Sequence, residues 1–128
     1  SSELNAAPEV QGIGVTTKLI KSQTLPDNTS SATTINEFPA LTSKGIVIKY
    51  KITRGTLDRT GEFVISCSTN AVGFDDTFTE SGNDVGVTLT AALDNKDSTA
   101  GNETVAFQFT TTSSGTAATI DYQTTIIA

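Results

Sequence analysis

The sequence predicts an all-β domain, an antiparallel β-sandwich of jelly-roll or immunoglobulin-like type with about seven to nine strands and essentially no helix. Three observations carry this. Apolar and polar residues alternate with period two along separate stretches, turn-forming residues fall between those stretches, and threonine dominates the composition. The chain holds 24 Thr and 12 Ser among 128 residues, with 17% charged residues. Thr is β-branched and suits the half-buried pleated surface of a strand. With only three Pro and a strong apolar periodicity, a mucin-like stalk is excluded.

Residues 1–12 show no pattern and read as an extended N-terminal arm, and residues 13–128 read as one sandwich domain. The opening Ser1-Ser2 reads as a processed or excised start. A strand is expected from Ile13 to Ile20 and another from Ala32 to Phe38, with Leu25-Pro26-Asp27-Asn28 as the loop between them. Between Gly45 and Arg54, Ile46, Ile48, Tyr50 and Ile52 share one face. Turns are expected at Arg54-Gly55 and Thr60-Gly61, followed by Phe63, Ile65 and Cys67 on one parity. Beyond the polar stretch Ser81-Gly82-Asn83-Asp84, the same alternation returns in Val85, Val87, Leu89 and Ala91. After Asp94-Asn95-Lys96-Asp97 come Val105, Phe107 and Phe109. After Ser113-Ser114-Gly115 come Ala118, Ile120, Tyr122, Thr124 and Ile126.

One apolar and one polar face is the pattern of an antiparallel sheet with one side on a core. That core should contain Ile46, Ile48, Tyr50, Ile52, Phe63, Ile65, Leu89, Phe107, Phe109, Ile120 and Tyr122. The outward parity still carries Val47, Val64, Ala106, Ala117 and Ile127. Apolar residues that merge across neighbouring strands mark interfaces, and few Lys or Pro are present to blunt open strand edges. A homo-oligomer is therefore expected.

A net charge of −6 and a pI near 4.4 oppose nucleic-acid binding, which needs a basic face. Lys49, Lys51, Arg54 and Arg59 form the one local basic group. No apolar run reaches transmembrane length, so no membrane insertion is expected. The single Cys67 excludes an internal disulfide, and with no His to activate it it reads as a buried structural thiol. Asp75 and Asp76 are neighbours on an extended chain and point to opposite sides, which does not suit paired-carboxylate catalysis. Gly12-Ile13-Gly14 lacks the third glycine of a phosphate-cradling loop. No enzymatic activity and no cofactor are expected.

The densest set of oxygen ligands is Asp75, Asp76, Glu80 and Asp84, a weak candidate for Ca²⁺. Its spacing matches no EF-hand loop, and acidic residues also cap ordinary turns, so a plain turn is the expectation there. Arg54 and Arg59 flank a turn in a chain with surplus carboxylates. At least one should form a bidentate pair with a carboxylate such as Asp58, Asp75 or Asp76.

The segment Tyr50-Lys51-Ile52-Thr53-Arg54-Gly55-Thr56-Leu57-Asp58-Arg59-Thr60-Gly61 resembles a pattern of bacteriophage tail-fibre, tail-spike and other virion proteins. In that pattern an aromatic strand ends in an Arg-Gly turn, followed by Arg-x-Gly and a second strand. The resemblance continues through Asp76-Thr77-Phe78-Thr79-Glu80 and Gly86-Val87-Thr88-Leu89. It ends with Phe109-Thr110-Thr111-Thr112, Gly115 and Ala118-Thr119-Ile120-Asp121-Tyr122, so it covers about residues 45–127. It implies a C-terminal β-sandwich module that assembles as a homotrimer with other virion proteins, in which Arg54, Gly55, Arg59, Gly61 and Asp76 are structural. The expected place is the particle exterior, as tail fibre, head fibre or capsid decoration, with contact to a host surface glycan as an attachment role. The alternative is a bacterial cell-surface adhesin or carbohydrate-binding module.

Overall fold

Antiparallel pairing organises the whole fold, as the alternation predicts. The computed structural model describes residues 20–94 and 101–128. Its strands are β1 (Lys21–Leu25), β2 (Thr33–Pro39), β3 (Gly45–Arg54), β4 (Leu57–Cys67), β5 (Val72–Glu80), β6 (Val87–Asp94), β7 (Thr104–Thr111) and β8 (Ala118–Ile127). A five-stranded sheet in the order β1-β8-β3-β4-β5 stacks on a three-stranded sheet in the order β2-β7-β6. Among the described residues the only helical element is a single 3₁₀ turn, Ala40–Thr42.

The long β3–β4 hairpin sets the register of the larger sheet. Its turn runs through Gly55, whose φ of +62° suits a residue without a Cβ. In the ladder Ile46 faces Ile65, Ile48 faces Phe63 and Tyr50 faces Gly61. A one-residue slip would turn every one of these side chains to solvent. All eleven expected core residues are buried, and so is Cys67. Phe107 of β7 joins the two layers, with its ring 5.1 Å from Phe63 of β4 and 5.9 Å from Tyr122 of β8. The Cys67 thiol donates to the Ser43 carbonyl at 2.9 Å, and burial pushes its pKa up.

Several expectations change. Thr60-Gly61 is no turn, because both residues lie inside β4. The glycine is there for a side-chain crossing described below. Ala106 has the outward parity but is only 4% exposed. It is a short side chain on the central strand of its sheet, flanked in register by Glu37 and Ala92. Val47, Val64, Ala117 and Ile127 do lie outward, half-buried or exposed. The first described strand is β1 at Lys21–Leu25, and the expected strand at 13–20 and arm at 1–12 lie outside the described residues, Ile20 excepted. The acidic stretch from Asp75 is also largely strand rather than turn, since β5 runs to Glu80.

The unequal layers have a consequence. Directly paired residues on antiparallel strands share a face. Phe74 and Phe78, paired with Ile65 and Gly61, therefore point to the inner side. Yet they are 46% and 44% exposed, because among the described residues the three-stranded sheet ends at β6.

Candidate functional site

Two arginines of the β3–β4 hairpin are buried, at 3% and 4% exposure for Arg54 and Arg59, and each organises one region. Arg54 ends β3 and lies among three inter-sheet loops. Its Nε donates to the Thr116 carbonyl at 2.8 Å, and its Nη1 donates to the carbonyls of Val85 and Gly86 at 2.9 and 3.2 Å. Nη1 also reaches Thr112 Oγ1 at 3.2 Å, while Nη2 donates to the Thr112 carbonyl at 2.7 Å and Asp27 Oδ1 at 2.6 Å. Gly86 makes this approach possible. Its φ is +71°, and a Cβ there would lie 3.0 Å from Arg54 Nη1. Asp27 in turn accepts from the Ser114 and Gly115 amides at 2.8 and 3.1 Å. The Ser114 amide leads the groups that hold its carboxyl below the usual range.

Arg59, on β4, meets carboxylates instead. Its Nε and Nη2 both donate to Glu80 Oε2, at 3.1 and 3.0 Å. Nη2 lies 3.4 Å from Asp84 Oδ1 and Nη1 3.9 Å from Asp76 Oδ2. Nη1 donates to the Val87 carbonyl of β6 at 2.8 Å. The guanidinium carbon sits 3.9 Å over the Phe78 ring, a cation–π contact. Glu80 Oε2 also accepts from the Val85 amide at 3.1 Å. Asp76 is fixed from the other side by Tyr50, whose hydroxyl donates to Oδ1 at 2.6 Å.

That last bond explains Gly61. Tyr50 is on β3 and Asp76 on β5, so the phenol must cross β4. A Cβ on Gly61 would lie 2.7 Å from Tyr50 Oη, 2.7 Å from Phe78 Cβ and 2.8 Å from the Thr77 carbonyl. Burial, followed by the Asp76 contact, raises the Tyr50 pKa well above its ordinary value, which keeps the phenol a donor. Burial also raises the Asp76 carboxyl, against the opposing pull of Tyr50 and Arg59.

These residues line a groove of about 380 Å³ between β5 and β6, bounded by Arg59, Asp76, Phe78, Asp84, Val87 and Leu89. Its wall is aromatic and aliphatic, its base carries a neutralised guanidinium, and its rim is acidic. Such a site suits burial of an apolar segment with polar or basic flanks.

The four expected calcium ligands do not act as a set. Asp76, Glu80 and Asp84 converge on Arg59, while Asp75 lies exposed on the other parity of β5. Among the described residues no cluster of three or more His, Cys, Asp or Glu is placed to hold a metal ion. Both arginines pair with carboxylates: Arg54 meets Asp27 through Nη2 alone, and Arg59 meets Glu80 through two nitrogens on one oxygen, with Asp84 and the expected Asp76 at 3.4 and 3.9 Å, rather than Asp58 or Asp75. Sequence reasoning missed Asp27, Glu80 as a partner, and Phe78. The signal for the last two was the parity of β5, where Val72, Phe74, Asp76, Phe78 and Glu80 fall on one face.

No family model matches the sequence, and no curated protein matches it. Among solved structures, the crystal structure of the Acinetobacter phage vB_ApiP_P1 tailspike protein is similar, with 13% identity and a TM-score of 0.53. The similarity covers 98% of this chain and 25% of the tailspike, so the chain spans about a quarter of that protein's length. At this identity the likeness is one of fold.

Proposed function

We propose that this domain is a non-catalytic structural module on the exterior of a bacteriophage particle, part of a tail spike or tail fibre, assembled as a homotrimer and able to touch the host surface. The observation that carries this reading is the fold match along nearly the whole chain to part of a phage tailspike. The uncovered inner face of β5 supports the oligomeric part, since aromatic rings left open beside a strand edge favour burial against a partner. The threonine-rich outer faces offer hydroxyls that can bond a host glycan without ordering long side chains.

The test is antibody labelling. Gold-tagged antibody against the domain should decorate the tail ends of negatively stained particles from the source culture. Label on bacterial cells with none on particles would replace this reading with the adhesin.

A further inference from the structure

We infer that the β5–β6 groove is a strand-acceptor site, filled by residues 13–19 of a second copy of this chain. The acceptor is built from two open features. β6 ends its sheet, so apart from the Val87 carbonyl, which takes Arg59 Nη1 at 2.8 Å, one edge of Val87–Asp94 has no neighbouring strand among the described residues. Next to that edge, Phe74 and Phe78 point inward and stay half-exposed, Phe74 stacked on Phe63 and Phe78 under the Arg59 guanidinium, with no strand of the smaller sheet paired along them. One added strand beside β6, about 4.8 Å away, would pair the edge and cover both rings.

The chain outside the described residues contains a segment suited to that place. Residues 13–19 alternate Ile13, Val15 and Leu19 with Gly14, Thr16 and Lys18, giving one apolar and one polar face. Charge favours it too. The rim carries Asp76, Glu80 and Asp84 against Arg59, while residues 10–20 hold one lysine and no carboxylate in a chain of net charge −6. Pairing β5 with β5 of a second copy would instead bring two acidic rows together.

Reach decides that the donor is another copy. The segment leads directly into Ile20 and the start of β1 at Lys21. β1 and β5 occupy opposite edges of the five-stranded sheet, about 19 Å apart at ordinary strand spacing. Residues 13–19 could reach their own β6 only by running across the strands, with nothing left to run along it. Their own β8 offers less. Continuing the β1 register, in which Lys21 pairs with Tyr122, sets Leu19 against Thr124 and Thr17 against Ile126. β8 ends at Ile127, which leaves Ile13 and Val15 past its end. Passing a strand from each copy to the next is a head-to-tail contact, and it can close into a ring. The inference rests on the oligomer proposed above but not on the virion assignment.

The test uses full-length chains and mixed cysteine variants. One population carries Thr16→Cys and the other Thr88→Cys or Thr90→Cys, so any mixed disulfide joins two copies. After mild oxidation the mixed dimer should exceed a Thr16→Cys plus Thr53→Cys control by about tenfold or more, since strand pairing raises effective concentration. A mixed dimer no more abundant than the control overturns the inference. So does a disulfide formed within one chain carrying Thr16→Cys and Ile127→Cys, which would place the segment on its own β8. A trimeric mass without the mixed dimer sinks strand exchange alone and leaves the oligomer standing.

Discussion

Arg54 and Arg59 sit five residues apart on one hairpin, are equally buried, and serve opposite ends of a design. Arg54 is closed on all sides: its donors meet four backbone carbonyls, one hydroxyl and one carboxylate. It ties the loops after β1, β5 and β7 to the end of β3. Arg59 meets one carbonyl and three carboxylates, with its face on a half-exposed phenylalanine. One arginine holds the sandwich shut, and the other holds a groove in shape. The difference lies in the partners. The loop carbonyls around Arg54 are fixed in place by backbone bonds of their own, such as Thr112 N–H to the Gly86 carbonyl at 2.9 Å and Asn28 N–H to the Thr112 carbonyl at 3.1 Å, whereas carboxylates at a rim can still face water or a second chain.

Arg54→Lys should therefore cost the most. A lysine supplies three donors from one point and cannot span loops on three sides. We expect a loss of about 2–4 kcal/mol in urea unfolding, because a buried cation would keep only part of the contacts that join the three loops. Gly61→Ala comes next at about 1–3 kcal/mol, since the new methyl displaces Tyr50 or Phe78. Arg59→Lys should cost about 1–2 kcal/mol, as an ammonium still pairs with Glu80 in a partly wet rim. Equal midpoints for the two Arg→Lys variants would erase the contrast between the regions.

Acid titration sharpens the same contrast with smaller effects. Asp27 has a lowered folded pKa, so its contribution is complete above the ordinary carboxylate value of about 4 and is lost as pH falls through the lower folded value. Asp76 has a raised folded pKa. Folding favours its protonated form, so its contribution is present below about pH 4 and is lost as pH rises through the raised value. In unfolding midpoints measured from pH 3 to pH 7, Asp27→Asn should destabilise more at the neutral end. Asp76→Asn should destabilise relatively more at the acidic end. Parallel profiles for the two variants would contradict these assignments.

The parts of the molecule differ in how much the sequence reveals. β3, β7 and β8 alternate apolar and polar residues because one face of each lies on the core and the other meets water, and that contrast is visible residue by residue. β5 hides because its inner face carries Asp76 and Glu80, whose burial is made tolerable by Tyr50 and Arg59 on other strands. Polar groups satisfied by distant partners leave no local periodicity. Gly61 misleads for a related reason: a glycine beside a threonine reads as a turn, whereas here it is the gap through which a phenol crosses. Asp27 is legible only as a loop residue, since its partners Arg54 and Ser114 are 27 and 87 positions away.

If the open β5–β6 side is an interface, as proposed above, its two exposed rings help to hold the copies together. Light scattering on the full-length chain at micromolar concentration tests it most directly, alongside a Phe74→Ser, Phe78→Ser double variant. The expected species has three times the 13.3 kDa chain mass and falls toward the monomer in the double variant. A clean 13.3 kDa monomer, or an oligomer indifferent to the loss of both rings, would contradict it.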